Sequence, residues 1–222
     1  MIFLEASKTG KNMRLQELLE GVHDPHIFKA IFILGGPGSG KTYISSKIAS
    51  GTGLKSVNLD DVYERMTMSN NSIVGKGFRR ELHSYSGRQT QKRMDMYVEG
   101  RLGLLIDGTG RKLDRLQQTK QNLEALGYDT LGIFVNTDVN VALDRNDTRK
   151  RRVDPEFLKK AHTELKSNIG DIQKIFNQNF IIIDNTDPNT VDFDYYWKSL
   201  QHFINEPPHK PAAKAWLNDQ KK

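Results

Sequence analysis

The sequence predicts an α/β fold, a doubly wound parallel sheet of about five strands flanked by helices. Three observations predict it. Short strand-like runs recur at Ala30–Leu34, Lys55–Asn58, Leu102–Ile106, Leu131–Val135 and Phe180–Ile183. Segments of helical periodicity lie between them. The first run is unbroken and apolar, as a strand covered on both faces should be, and it enters a glycine-rich turn.

That turn, Gly35-Gly36-Pro37-Gly38-Ser39-Gly40-Lys41-Thr42, matches G-x-x-x-x-G-K-[ST]. A helix over Tyr43–Ser50 is expected to leave it, which completes the strand–loop–helix setting the pattern requires. Glycines remove Cβ atoms, so successive backbone N–H groups can turn toward phosphate oxygens. The helix N-terminus offers free N–H groups and a positive dipole end to the same anion. The stretch from Gly35 to Tyr43 is therefore expected to hold a nucleoside triphosphate, ATP or GTP. Lys41 is expected to reach the β- and γ-phosphates, and the Thr42 hydroxyl to ligate Mg²⁺.

Composition narrows the class. Hydrophobic residues make up 36% and charged residues 27% of the 222, which reads as a soluble globular chain, one domain with a small lobe and a tail. No apolar run approaches the roughly 20 residues that span a bilayer. Met1-Ile2-Phe3-Leu4-Glu5 lacks the basic start of a signal peptide, so no membrane partner is expected. The absence of cysteine removes disulfides, Cys-based zinc sites and thiol catalysis, and suits the cytoplasm. The net charge of +6 suggests a polyanionic partner or a phosphorylated ligand, although a generally basic surface accounts for it as well.

Ahead of the first strand, residues 1–28 read as an N-terminal helical extension, with Leu15, Leu18 and Leu19 on one face of a short helix over Asn12–Leu19. His23-Asp24-Pro25-His26 reads as a loop with solvent-exposed histidines rather than a metal site. The second strand ends at Leu59-Asp60-Asp61. Asp61 and Glu64 have capping-box spacing for a helix over Val62–Met66, which leaves Asp60 without a structural task. Ligands of open α/β sheets sit at strand C-termini, so Asp60 is the candidate general base; a surface carboxylate is the alternative. Residues 67–101 form an expected insertion, irregular or partly helical over 69–87 and then helical over Arg88–Glu99. Arg79 and Arg80 there are candidate acceptor contacts, weighed evenly against a solvated helical cover.

The third strand ends at Asp107-Gly108-Thr109-Gly110-Arg111. An apolar strand ending in Asp places Asp107 as a candidate Mg²⁺ residue, direct or through water. Gly108 stands where many water-activating ATPases carry Glu, which favours transfer to a hydroxyl over hydrolysis. Asp107, Thr109 and Arg111 are candidates to grip the acceptor. Leu113, Leu116, Leu123 and Leu126 form the core face of a helix over Lys112–Leu126, and Gly127 ends it.

Asp138 is expected to cap a helix that runs into a basic segment, with Arg145, Arg149 and Arg152 spaced to share one face. Residues 145–154 are expected to form a lid whose guanidiniums clamp the transferring phosphoryl group. A basic helix that binds nucleic acid or is merely solvated is the alternative. Asp154-Pro155 supplies an N-cap and N1 proline for a helix through Phe157, Ala161 and Leu165 that stops near Gly170, with a short helical stretch around Ile172–Phe176. Asn185 and Thr186, after the fifth strand, are candidate contacts to the nucleotide base. Val191–Ile204 closes the domain, and 206–222 reads as a mobile or surface-docked tail that Trp216 and Leu217 could anchor.

Four segments carry a family resemblance. Gly35 to Thr42, Asn58-Leu59-Asp60-Asp61, Leu105 to Arg111 and Arg145-Asn146-Asp147-Thr148-Arg149 together resemble P-loop kinases of the zeta-toxin and polynucleotide 5′-hydroxyl kinase type. The likeness spans roughly residues 29 to 187. It implies a P-loop NTPase fold over 29–205, with Asp60 as catalytic base. Asp107 to Arg111 is similar to the E-G-T-x-R acceptor segment of zeta toxins, with Asp in place of Glu. Arg145 and Arg149 are similar to an R-N-x-x-R lid, which implies that both lie near the phosphates.

The resulting expectation is a kinase that moves the γ-phosphoryl group of ATP or GTP to a hydroxyl. The charge and the lid slightly favour a nucleic-acid 5′-hydroxyl or another nucleotide-type acceptor; the Asp-Gly-Thr-x-Arg segment fits a nucleotide sugar. A motor or hydrolytic switch is disfavoured by Gly108 and by the lack of an N-K-x-D motif. A non-catalytic nucleic-acid-binding module is disfavoured because Lys41, Thr42, Asp60 and the arginines are all present.

Overall fold

The computed structural model describes residues 24, 26–59, 76–149, 152–187, 189 and 191–220, with backbone alone over 76–82. Five strands, β1 (Lys29–Leu34), β2 (Lys55–Val57), β3 (Leu104–Asp107), β4 (Asp129–Asn136) and β5 (Phe180–Asp184), form one sheet. All are parallel, in the order β2-β3-β1-β4-β5. The helices are α1 (Lys41–Thr52), α2 (Lys76–Glu99), α3 (Leu113–Ala125), α4 (Val139–Asp147), α5 (Pro155–Phe176), α6 (Phe193–Asn205) and α7 (Pro211–Asp219).

Side-chain alternation on the central strand divides the core into two layers. Ala30, Phe32 and Leu34 face Leu116, Leu123, Leu165, Ile172 and Phe176, on α3 and α5. Ile31 and Ile33 face Ile44 and Ile48 on α1 and Leu200 and Ile204 on α6. Every residue of β1 is buried. Each large side chain buried there contributes roughly 1.5–3 kcal/mol of apolar burial. The central strand is thus the most firmly held element, and the glycine turn grows directly from its end.

Several boundaries differ from the sequence expectation. The fifth helix runs unbroken through Gly170 to Phe176. A side chain at Gly170 would meet nothing within 4 Å, so this glycine sits on the open face, where it costs only about 1 kcal/mol of helix propensity. Leu165 and Ile172, two turns apart, keep the same buried face across it. Helix α2 begins at Lys76 rather than Arg88, through a stretch with no apolar stripe to signal it. Leu126 is 39% exposed rather than core, because the helix ends one residue before it. His26 is buried, not solvent-exposed, with Nδ1 3.4 Å from the Ile204 carbonyl. Of the two readings of 206–222, the docked one agrees with the structure: Trp216 and Leu217 pack on the core, the Trp216 ring lying edge-on to Phe28 at 5.5 Å, and the unforeseen feature is the helix α7 that carries them, with Ala213 buried. The helix expected over Asn12–Leu19, and Asp61, Glu64 and the helix over Val62–Met66, lie outside the described residues.

Candidate active site

The turn from Gly35 to Gly40 sits at the C-terminal end of β1, between the ends of β3 and β4. Gly40 is the N-cap of α1 at φ 90°, a left-handed conformation, and a Cβ there would overlap the Asn185 amide nitrogen. Only glycine meets both demands. The turn closes on itself through Ser39 N–H to the Gly36 carbonyl, 3.3 Å. Lys41 folds back over it, with Nζ donating to the Gly36 carbonyl at 2.9 Å. The first amides of α1 have no intrahelical carbonyl to bond, so the loop ends in a ring of donors. Thr42 and Tyr43 follow as exposed residues, Tyr43 at 53%.

Neighbouring elements brace this loop. Asn185 is 3% exposed and donates from Nδ2 to the Ser39 carbonyl at 2.8 Å. Thr137 Oγ1 donates to the same carbonyl at 3.0 Å. Arg145 donates from Nη2 to the Asn185 carbonyl at 2.8 Å and from Nη1 to the Gly38 carbonyl at 3.5 Å. The amide nitrogen of Asn185, expected against a base, is therefore committed to the loop. Thr186, the other base candidate, accepts at Oγ1 from Asp138 N–H at 3.1 Å. The Thr186 hydroxyl also donates to Asp184, 2.6 Å. That bond and the Thr186 amide hold the Asp184 carboxyl below its usual range.

The three arginines of the basic segment do not share a helical face. Helix α4 ends at Asp147, and Arg149 lies in the turn beyond it. The Asn146 side chain is the cause. Its Nδ2 donates to the Val153 carbonyl and its Oδ1 accepts from Val153 N–H, both at 2.8 Å, which folds the chain back. Thr148 Oγ1 donates to the Arg145 carbonyl at 3.0 Å and competes with continuation of the helix. Arg145 thus faces the loop, while Arg149 and Arg152 are exposed on a short connection to α5.

On the other side of β1, Asp107 ends β3 in register with Ile33. Its Oδ2 accepts from Asn58 Nδ2 at 3.2 Å, which ties the ends of β2 and β3 together. Arg111 is engaged by α5: Nε donates to Glu164 at 2.7 Å and the guanidinium lies 5.0 Å from the Phe157 ring centre. Phe157, expected in the core, is 46% exposed and serves as that platform. Thr109 is exposed beside Arg111. Asp60 lies outside the described residues, as do the side chains of Arg79 and Arg80.

Two buried polar atoms at the loop, Ser39 Oγ and Asn185 Oδ1, have no partner among the described residues. A donor-lined turn with a lysine folded onto it suits an anionic ligand, and the Ser39 hydroxyl can add a donor, whereas the Asn185 amide oxygen only accepts. For Mg²⁺, the Thr42 hydroxyl and the Asp107 carboxylate are oxygen donors of the right chemistry, and Mg²⁺ commonly takes only one or two protein ligands beside phosphates. Sequence reasoning missed His162, Thr137 and Glu164, which act through contacts distant in sequence that no local pattern marks. Asn58 and Asn146 lie inside segments that carry the resemblance, but their bracing roles were not read from them.

Strand order and the glycine loop at the end of β1 together define a P-loop α/β domain. The comparisons narrow this further. A family model described as Zeta toxin matches residues 16–195, and the chain belongs to that family. A Toxin zeta of Streptococcus pyogenes is 33% identical over 127 residues, covering 54% of this chain and 43% of that protein. The chain thus aligns with less than half the length of that curated relative. A chain of the PezAT chromosomal toxin–antitoxin system of Streptococcus pneumoniae superposes with a TM-score of 0.58 at 16% identity, covering 96% of this chain and 92% of that one. A chain of the Pnkp1/Rnl/Hen1 RNA repair complex does so with 0.52 at 18%, covering 66% and 46%. Both structural likenesses show the fold.

Proposed function

We propose that the chain is a kinase that transfers the γ-phosphoryl group of ATP or GTP to a hydroxyl of a nucleotide-type acceptor. The observation that carries this is the complete phosphate loop at the end of β1, with Lys41 over it and Arg145 against it. Family membership supports the same reading.

The amides of the loop and of the first turn of α1 bind the β- and γ-phosphates. Lys41 exchanges the Gly36 carbonyl for a phosphate oxygen. Thr42 and Asp107 would hold Mg²⁺, which would supply charge neutralisation to the phosphates. Asp60 takes the proton of the acceptor hydroxyl, whose oxygen attacks the γ-phosphorus as the bond to the β-phosphate oxygen breaks. The Asn58–Asp107 hydrogen bond supports this placement, since it joins the two strand ends that lead to Asp60 and to the acceptor segment. Arg145, which already lies against the loop, offsets charge on the group in transfer, worth a factor of roughly 10² to 10³ in rate.

Among acceptors, a nucleotide sugar stands ahead of a nucleic-acid 5′-hydroxyl. The family match is to Zeta toxin over most of the chain, whereas the likeness to the RNA repair complex is one of fold. The test is transfer of labelled γ-phosphate from ATP and Mg²⁺, with nucleotide sugars, nucleosides and 5′-hydroxyl oligonucleotides run side by side. Label on a nucleotide sugar, lost in Lys41→Ala, is the expected result. Label on the oligonucleotide alone would reverse the order of acceptors. Release of phosphate with no labelled acceptor would replace the kinase with an ATPase.

A further inference from the structure

We infer that His162 is a positioning residue of the phosphate loop: its Nε2–H holds the Pro37–Gly38 peptide so that the Gly38 amide faces a bound phosphate. The inference rests on the nucleotide-binding reading above and deepens it.

His162 lies on α5 at 6% exposure, on the same buried face as Leu158, Ala161 and Leu165. Its Nε2 is 2.8 Å from the Pro37 carbonyl oxygen. A carbonyl only accepts, so this ring nitrogen carries the hydrogen. Within one planar trans peptide the C=O and N–H point in opposite directions. Anchoring the Pro37 carbonyl on α5 therefore turns the Gly38 N–H away from that helix, toward the open side of the loop. Gly38 itself is at φ 77°, a conformation with no intrinsic preference to hold that peptide in place.

A second observation shows that ring and loop are fitted to each other. A Cβ on Gly36 would stand 2.5 Å from His162 Nε2, 2.8 Å from Cδ2 and 2.9 Å from Cε1. The second glycine of the turn is thus needed to admit the imidazole, in addition to any approach by phosphate. The loop motif fixes the amides of α1 by helix geometry alone. It does not fix the peptide at its apex, and His162 supplies that from a helix more than a hundred residues away (the two partners are 125 apart).

The test is calorimetric titration of ADP into the full chain, as wild type, His162→Gln and His162→Leu. Glutamine keeps a donor at similar reach; leucine keeps the bulk and loses the donor. Loss of one hydrogen bond predicts roughly tenfold weaker ADP binding for the leucine variant, with the glutamine variant within about threefold of wild type. In turnover, the leucine variant should raise KM for the nucleotide and leave kcat at saturation largely intact. A purely space-filling role would shift the melting temperature without separating the two variants in affinity. Unchanged affinity in His162→Leu, or equal loss in His162→Gln, overturns the inference. Should the leucine variant fail to fold, the two-bond ¹⁵N spectrum of the wild-type histidines decides: Nε2 of His162 must be protonated, and a bare Nε2 overturns the inference. Absence of ADP binding by wild type would defeat the nucleotide reading and take this inference with it, an outcome distinct from failure of His162 alone.

Discussion

The two ends of the sheet treat buried polar groups in opposite ways. At the N-terminal end, Lys29 and Asp129 form a 3.0 Å ion pair at 1% and 9% side-chain exposure. Asp129 also accepts from the His209 N–H at 3.2 Å, and the Lys29 ammonium lies 4.9 Å from the Phe203 ring centre. The Tyr128 hydroxyl donates to the Leu102 carbonyl at 3.1 Å, and burial pushes its ionisation well up. At the C-terminal end, Ser39 Oγ and Asn185 Oδ1 lack partners among the described residues, Lys41 bonds its own loop, and Arg145 is spread over carbonyls of two loops. The first end is paired internally through these groups, and Arg101 Nε is its one buried side-chain atom without a partner among the described residues. The second is a turn of backbone donors with two cationic side chains folded onto its carbonyls and braced in place, which is how a site suited to an anion differs from a plug.

The largest effect expected of a single change is at the open end. Lys41→Ala should lower phosphoryl transfer by at least roughly 10² to 10³, with little change in melting temperature. Asp60→Asn should remove transfer while nucleotide binding survives; unchanged turnover would rule Asp60 out as the base. At the closed end the pattern should invert. Lys29→Met strands a buried carboxylate, so it should cost about 3 kcal/mol in chemical denaturation. ADP affinity of the folded variant should stay within about twofold of wild type. A change in affinity without loss of stability would break the comparison. Trp216→Ala, which removes the ring packed on Phe28, should cost about 2 kcal/mol, again with turnover unaltered.

The smallest effect is one of pH. The Asp184 carboxyl is held low by the Thr186 hydroxyl and amide, so ionised Asp184 favours the folded loop. That contribution is present above the ordinary aspartate value and is lost as pH falls through the lowered one. Acid titration of stability should therefore show a small component that Asp184→Asn removes. Equal acid sensitivity in that variant would mean that the Thr186 bonds do not report on folding.

The layered fold was legible because strand-length apolar runs and a complete glycine loop are local signals. Each strand lies where its run placed it, within two residues. The helices were less legible where composition and geometry diverge: Gly170 looks like a stop, yet it only lies on the open face of α5. The lid arginines were misplaced for a related reason. Their spacing suits a helix, but the reciprocal bonds of Asn146 with Val153 end that helix first, and such a closure involves both ends of a loop at once. The loop itself could be named from eight residues, whereas the bracing by His162, Thr137 and Asn185 comes from elements that meet only after the sheet has formed. Tertiary contacts of this kind leave no periodicity to read.

The contrast between the two ends is tested most directly by hydrogen exchange of the full chain with and without saturating ADP and Mg²⁺. Slowed exchange is expected over 36–44, 137–149 and 185–187, with the amides of 26–30 and 209–216 unchanged. Protection spread evenly over both ends, or confined to the Lys29–Asp129 end, would contradict it.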